Sequence, residues 1–253
     1  MRRSLRTVFV LALMLVVGGT RGLAEEEADS ATWPKIYRSG PSHEKYAALT
    51  FDDAPLPGLE ELLGILEDLD VRATFFVEGV FASWRPHMLK AIADAGHEIG
   101  NHTYDHPDMT RVSDEELGRQ LDLANQIIES QTGITPHLFR PPGGRHDSRV
   151  VDAAYERELT TVLWTVSCSD YREPSPAYIV DRVLSGVRPG GIILLHDGVG
   201  STREALPEIV RTLRGRGYVF VTVGEMLEMT HGKCPWVGEA EESSLASSEW
   251  HGF

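Results

Sequence analysis

The stretch Tyr46-Ala47-Ala48-Leu49-Thr50-Phe51-Asp52-Asp53 decides the fold class. Its run from Ala47 to Phe51 has the length and apolar character of a buried strand, and two carboxylates stand at its carboxyl end. In parallel α/β folds, active sites are built at that end of the strands. Adjacent acids are also common on protein surfaces, so the pair alone marks a candidate and nothing more.

Outward from it, short runs rich in β-branched and aromatic residues recur at 73–77, 97–100, 137–140, 161–166, 191–195 and 218–223, giving seven strand candidates in all. Between them, residues 59–69, 86–95, 113–131, 148–158, 176–187 and 203–214 place apolar side chains three and four apart with charges outward, as covering helices do. Their alternation is the α/β signature. Periodicity alone leaves a closed barrel and an open doubly wound sheet both standing. Ser113 with Glu116 three residues on reads as a capping box at the head of the longest helix. Residues 25–45 and the tail from Cys234 show no sustained period and read as irregular.

His102 and His106 lie four apart just past a strand candidate. One helical turn or a folded-back loop would bring both imidazoles to one ion; surface or core histidines are the bland reading. Two histidines with one carboxylate leave positions on an ion open for water and substrate. Arg140 ends another strand and opens Arg140-Pro141-Pro142-Gly143-Gly144, where the prolines lack donors and Gly143 supplies the next free N–H. Such a loop can serve an oxyanion or be an ordinary turn. Asp170-Tyr171 and His196-Asp197 follow two further strands. Chemistry at so many strand ends is what one shared site requires. Trp84, Tyr104 and Trp164 can act as sugar platforms or as core and surface aromatics, and are kept out of the site.

The chain of 253 residues suffices for one large domain, and 42% hydrophobic with 25% charged residues is a globular balance. Arg2, Arg3 and Arg6 precede an uncharged run from Val8 to Val17, then small residues and Gly22-Leu23-Ala24. That is the layout of a secretory signal peptide, with an apolar run shorter than the ~20 residues of a membrane span. Its removal takes away four arginines and no acids and moves the net charge from −14 to −18, which argues against nucleic acid as a partner. The expected organisation is a signal at 1–24, an irregular segment at 25–45, one catalytic domain at 46–230 and a polar tail at 231–253, exported to the periplasm or beyond and without a stable membrane span. For Cys168 and Cys234, spacing leaves a disulfide and two buried thiols both open.

Taken in order, Thr50-Phe51-Asp52-Asp53, His102 to His106, Arg140 to Gly144, Ser169-Asp170-Tyr171 and Leu194-Leu195-His196 resemble the five motifs of the polysaccharide deacetylases, the NodB-homology domain of the carbohydrate esterases, over residues 46–227. The resemblance implies a single-domain distorted (β/α)7 barrel like a TIM barrel, with a groove at the strands' carboxyl ends. It implies one divalent ion, zinc or else cobalt or manganese, on Asp53, His102 and His106. Asp52 matches the general base, Arg140 the residue that positions it, His196 the general acid and Asp170 the partner of that acid. Gly143, Tyr171 and Leu194 fall toward the oxyanion and substrate. Three positions depart from the family pattern: Ala54 stands for glycine, Gly143 for an aromatic residue and Tyr171 for tryptophan.

The implied reaction is hydrolysis of N-acetyl groups from an amino-sugar polysaccharide of chitin, peptidoglycan or poly-N-acetylglucosamine type, releasing acetate. The same groups would serve an O-acetyl esterase on xylan or a cyclic amide hydrolase. A glycan-binding barrel without turnover would have no need of Asp52, Asp53, His102, His106 and His196 together.

Overall fold

A computed structural model describes residues 33–236. In chain order its elements are β1 (Ile36–Tyr37), β2 (Tyr46–Ala54), α1 (Leu59–Asp68), β3 (Thr74–Val77), α2 (Gly79–Trp84), α3 (Pro86–Asp94), β4 (Glu98–Asn101), α4 (Asp114–Thr132), β5 (Leu138–Phe139), α5 (Ser148–Tyr155), β6 (Thr160–Val162), β7 (Val166–Ser167), α6 (Pro176–Gly186), β8 (Gly191–His196), α7 (Gly200–Gly215), β9 (Val219–Phe220) and α8 (Val223–His231). All strand pairs are parallel, in the order β1-β6-β5-β4-β3-β2-β8-β7, and β9 pairs with the start of β2.

That order dictates curvature. β6 and β7 lie near opposite ends of the path, six strand spacings or about 29 Å apart in a flat sheet. Only Leu163, Trp164 and Thr165 join them, a reach of about 14 Å. The sheet therefore curls into the expected distorted barrel. The linking residues are shared between the two sides: Leu163 N–H donates to Tyr37 O at 2.9 Å and Thr165 N–H to Ile192 O at 2.9 Å. The expected single strand at 161–166 is accordingly two short strands, because its residues change partners at Trp164.

Alternation along β2 and β8 separates two faces. Ala47, Leu49, Phe51, Ile193 and Leu195 face the helices, where they pack with Leu62, Leu66, Ile179, Leu206 and Ile209. Ala48 and Ile192 face inward, with Phe76, Val162, Met226 and Leu227. Thr50 pairs with Leu194 and Asp52 with His196 in register, so the interior runs from apolar at one mouth to polar at the other. α8 packs Val223, Met226 and Leu227 into the apolar mouth, which leaves the polar mouth as the place for a site.

Three further expectations are corrected. Residues 25–45 are not wholly irregular, since β1 pairs with β6; two residues are too short to leave a period. The strand expected at 218–223 stops at Phe220, because Thr222 caps α8 in a reciprocal box with Glu225. The box read at Ser113 is half formed: its hydroxyl accepts from Glu116 N–H, but the Glu116 carboxylate turns to Arg119 and Gln120. No disulfide links Cys168 to Cys234. The signal reading at 1–24 and the tail beyond residue 236 lie outside the described residues. Among the described residues, no helix is long and apolar enough to cross a membrane.

Candidate active site and metal centre

β2 ends in a bulge against β3 between Phe51 and Ala54, and the bulge gives its two acids different surroundings. Asp52 stays in the strand and turns inward, buried, where Arg140 Nη1 donates to its Oδ1 at 2.7 Å. The same Nη1 donates to Thr50 Oγ1 at 2.7 Å, and Nε to Val162 O at 3.4 Å. The fully buried guanidinium also lies over Phe76, 4.0 Å from the ring centroid. Removing one partner of such a buried pair strands the other and costs about 3–5 kcal/mol, so each holds its neighbour in place.

Asp53 takes the left-handed conformation (φ 65) and meets the histidines of the β4 loop, where Asp52 Oδ2 also lies 3.8 Å from His102 Nε2. That loop is not the helical turn the histidine spacing allowed. It folds back through Thr103 (φ 71) and His106 (φ 61), with His106 N–H donating to Thr103 Oγ1 at 3.1 Å. Non-glycine residues in this region cost on the order of 1–3 kcal/mol each and persist where the surroundings impose them. Asn101 Oδ1 accepts from Thr103 N–H, and Gln120 of α4 accepts from both Tyr104 and Asp105 N–H while donating to the Asp105 carboxylate.

The result brings His102 Nε2 to 3.4 Å and His106 Nε2 to 3.6 Å from Asp53 Oδ1, with all three ligand atoms within 4.8 Å of one another. Ligands about 2.1 Å from one tetrahedral ion are spaced by about 3.4 Å, so the triad fits a zinc-sized cation. Two further observations agree. Asp53 Oδ1 is buried without a hydrogen-bond partner. His102 Nδ1 lies 2.7 Å from Arg140 O, which can only accept, so Nδ1 carries a proton and Nε2 is the nitrogen left to face Asp53. The His102 side chain is 1% exposed, Asp53 28% and His106 42%, so the open side of the centre lies toward His106.

Burial acts to raise the Asp53 pKa, yet the three neighbouring histidines, His102 foremost, hold it down to about 2. Burial lowers His102, but Asp52 and Asp53 raise it overall; the negative field that favours a proton on this ring favours a cation equally. His106 is lowered, by burial and then by His102.

Across the mouth, His196 is set by Asp170. The His196 Nδ1 lies 2.8 Å from Asp170 Oδ1, and Asp170 Oδ2 accepts from His196 N–H at 2.8 Å and Thr202 Oγ1 at 2.7 Å. Burial lowers the imidazole's pKa, but the bond and charge of Asp170, with Asp52 and Asp53 behind, raise it above the ordinary histidine value. Tyr171 is half exposed with its ring 5.3 Å from that of His196. Leu194 lies buried on the interior face one turn of the pleat below His196. Gly143 is left-handed (φ 61) in the short 3-10 turn Pro142–Gly144, whose closing bonds come from Gly144 and Arg145 N–H and leave the Gly143 donor outside them.

The structure thus gathers every expected site residue at one mouth, with Leu194 beneath. Sequence reading missed Gln120 and Glu78. Gln120 is 1% exposed on the apolar face of α4, and a polar residue on that stripe was the signal available. Glu78 follows β3, buried beside Asp53; burial first and the Asp53 charge second push its carboxyl up to about 7. Its N–H donates to Ala54 O and the next two to Thr103 O and Tyr104 O, so this segment ties the two ligand-bearing loops together.

A family model described as polysaccharide deacetylase matches residues 39–162. The uncharacterized protein YlxY of Bacillus subtilis is 40% identical over 172 residues, covering 68% of this chain and 54% of its own length. A peptidoglycan-N-acetylglucosamine deacetylase of Bacillus cereus is 38% identical over 198 residues, 76% of this chain and 92% of the relative. Among solved structures, a peptidoglycan N-acetylglucosamine deacetylase superposes with a TM-score of 0.75 at 33% identity over 79% of this chain and 95% of that one. A CE4 family pseudoenzyme from Bacillus anthracis superposes with a TM-score of 0.72 at 36% identity over 76% of this chain and 68% of that one.

Proposed function

The chain belongs to the polysaccharide deacetylase family, a family of hydrolases, and on that premise we propose that it removes N-acetyl groups from an exported amino-sugar polysaccharide with the help of one divalent ion. The observation that carries this reading is the register of β2 and β8. It sets Asp52 directly beside His196, with Asp53, His102 and His106 converging next to them.

Asp53, His102 and His106 would hold the ion, which would polarise the acetyl carbonyl and ease deprotonation of a water. Asp52, fixed by Arg140, takes the proton of the attacking water. Gly143 N–H donates to the developing oxyanion. His196, kept protonated by Asp170, delivers a proton to the leaving nitrogen, so that acetate and a free amine result. Ala54 leaves this arrangement intact, buried in β2 and paired with Val77. Zinc suits the donor set, with cobalt or manganese as substitutes. The names of the relatives support a cell-wall glycan as substrate and a site of action outside the cytoplasm.

The similarity to a pseudoenzyme favours one rival, a barrel that binds glycan without turnover. Acetate release from chitin oligomers, peptidoglycan, poly-N-acetylglucosamine and acetylxylan separates the readings. Release from an amino sugar is expected, and none from any of them would sink the proposal. Asp52→Asn is expected to keep the metal and lose hydrolysis by at least about 10²-fold, whereas His102→Ala loses both. Metal content by atomic spectroscopy beside the rate distinguishes the two variants.

A further inference from the structure

Beside the reacting groups lies a hollow of about 250 Å³ lined by Arg38, Gly143, Gly144, His146, Leu163 and Trp164. Topology puts it on the active face: Arg38 follows β1, Leu163 and Trp164 follow β6, and the two glycines lie past β5, all at the carboxyl ends of parallel strands. β6 is two places from β4, the strand that delivers His102, a separation of about 10 Å. Gly143 lines the hollow and stands in the turn that follows Arg140, whose guanidinium holds Asp52.

The walls are built. A Cβ at Gly144 would fall 2.6 Å from Trp164 Cη2, so only glycine lets the indole lie against this loop. On the inner side the Arg140 guanidinium is 5.7 Å from the Trp164 ring. His146 Nδ1 is 2.7 Å from Gly144 O, a pure acceptor, so Nδ1 carries the ring proton. Its Nε2, 3.3 Å from Arg38 Nη2, then accepts from that guanidinium and aims it. Arg38 is exposed, and no carboxylate of the described residues pairs with it. Arg145, next along the loop, is by contrast within 3.8 Å of Asp108.

An aimed guanidinium without a counter-ion, next to an indole, supplies what a carboxylated sugar needs: a fork for the carboxylate and an apolar wall for the ring. We propose that this hollow is a subsite for a carboxylate-bearing sugar adjoining the one that loses its acetyl group, with Arg38 on the carboxylate and Trp164 against the ring. The inference rests on the deacetylase reading and narrows its substrate to amino-sugar polymers that carry acidic substituents. It also runs against the net charge of −14, which by itself would turn anionic glycans away; one oriented cation at the groove edge offsets that field locally.

The test compares the zinc-loaded wild type with Arg38→Gln and Arg38→Lys on peptidoglycan glycan strands, which carry carboxylates, and on neutral chitopentaose. Binding is read by calorimetry and turnover by acetate release. For Arg38→Gln we expect about tenfold weaker binding and a matching rise in KM on the carboxylated strands, an unchanged kcat, and no change on chitopentaose. Arg38→Lys should recover part of the loss. Raised salt should shrink the wild-type advantage, since the contact is solvent-exposed. Equal losses on both glycans, or none on either, overturn the subsite. Absence of acetate release by the wild type from either glycan would instead overturn the deacetylase reading, and the calorimetric comparison would still decide the subsite.

Discussion

On the proposed mechanism, a single carboxylate sets the working range of the acid, His196. Burial alone would leave His196 with a lowered pKa; Asp170 reverses that through its bond to Nδ1, and its other oxygen is occupied by the His196 N–H and Thr202. Asparagine has one acceptor oxygen and cannot meet both demands. In Asp170→Asn the pKa of His196 should therefore fall, so that less of the acid form survives at a given alkaline pH. The alkaline limb of the kcat profile should move to lower pH and kcat should drop about 10²-fold. A pH–rate profile of wild type and variant tests this, and an unmoved limb would remove Asp170 from the role. At this scale the cluster was legible, because carboxylates and histidines recur at strand ends where an ordinary surface would not place them. The holders were less so. Neither touches a reacting atom: Gln120 holds backbone N–H groups with its side-chain amide and is marked only by its polarity on an apolar stripe, and Glu78 ties the loops through its own N–H, which leaves no mark on residue type.

The helix that closes the apolar mouth shows what an element needs beyond its period. α8 docks its first turn on a carboxylate: Glu98 accepts from Gly224 N–H at 3.0 Å and from Thr74 Oγ1 at 2.6 Å, while Thr74 Oγ1 accepts from Val223 N–H at 3.0 Å. A side chain at Gly224 would collide with Glu98, so glycine here is a matter of close approach. Burial pushes the Glu98 carboxyl up to about 7 despite these bonds. The folded protein then holds a proton that the unfolded chain, with a carboxylate pKa near 4.3, has released; stability is greatest below that value and declines as pH rises toward 7. Glu98→Gln cannot titrate and should flatten this part of the pH dependence. Urea midpoints at pH 5 and pH 8 check it: the difference should be smaller in the variant than in wild type, and an identical difference would mean that Glu98 is not the group responsible. None of this was legible in the run 218–223, which reads as a strand. The Thr222–Glu225 box that ends it was visible in the letters, but the β-prone residues before it masked the change of element.

At the scale of the molecule, the alternation of strands and helices announced an α/β fold, whereas closure did not follow from any period. It comes from three residues around Trp164 that serve both sides of the curled sheet, a long-range constraint without a local signature. The curl brings the strand ends together, and three of the left-handed non-glycine residues meet there. Asp53, Thr103 and His106 are left-handed, and Asp53 Oδ1 is buried with no hydrogen bond to offset its desolvation. One cation between β2 and the β4 loop would relieve the unpaired oxygen and join two segments that meet only through tertiary structure. Metal binding should therefore show as folding stability even where no substrate is turned over. At a hundredfold excess of zinc over its dissociation constant, linkage adds about 2.7 kcal/mol, and for a protein of this size that raises Tm by about 5–10 °C. Calorimetric melting of chelator-treated protein with and without zinc measures the shift, with His102→Ala as the variant in which it should vanish. Wild type and variant melting alike at every zinc concentration would show that this triad does not hold an ion, whatever the protein does to its substrate.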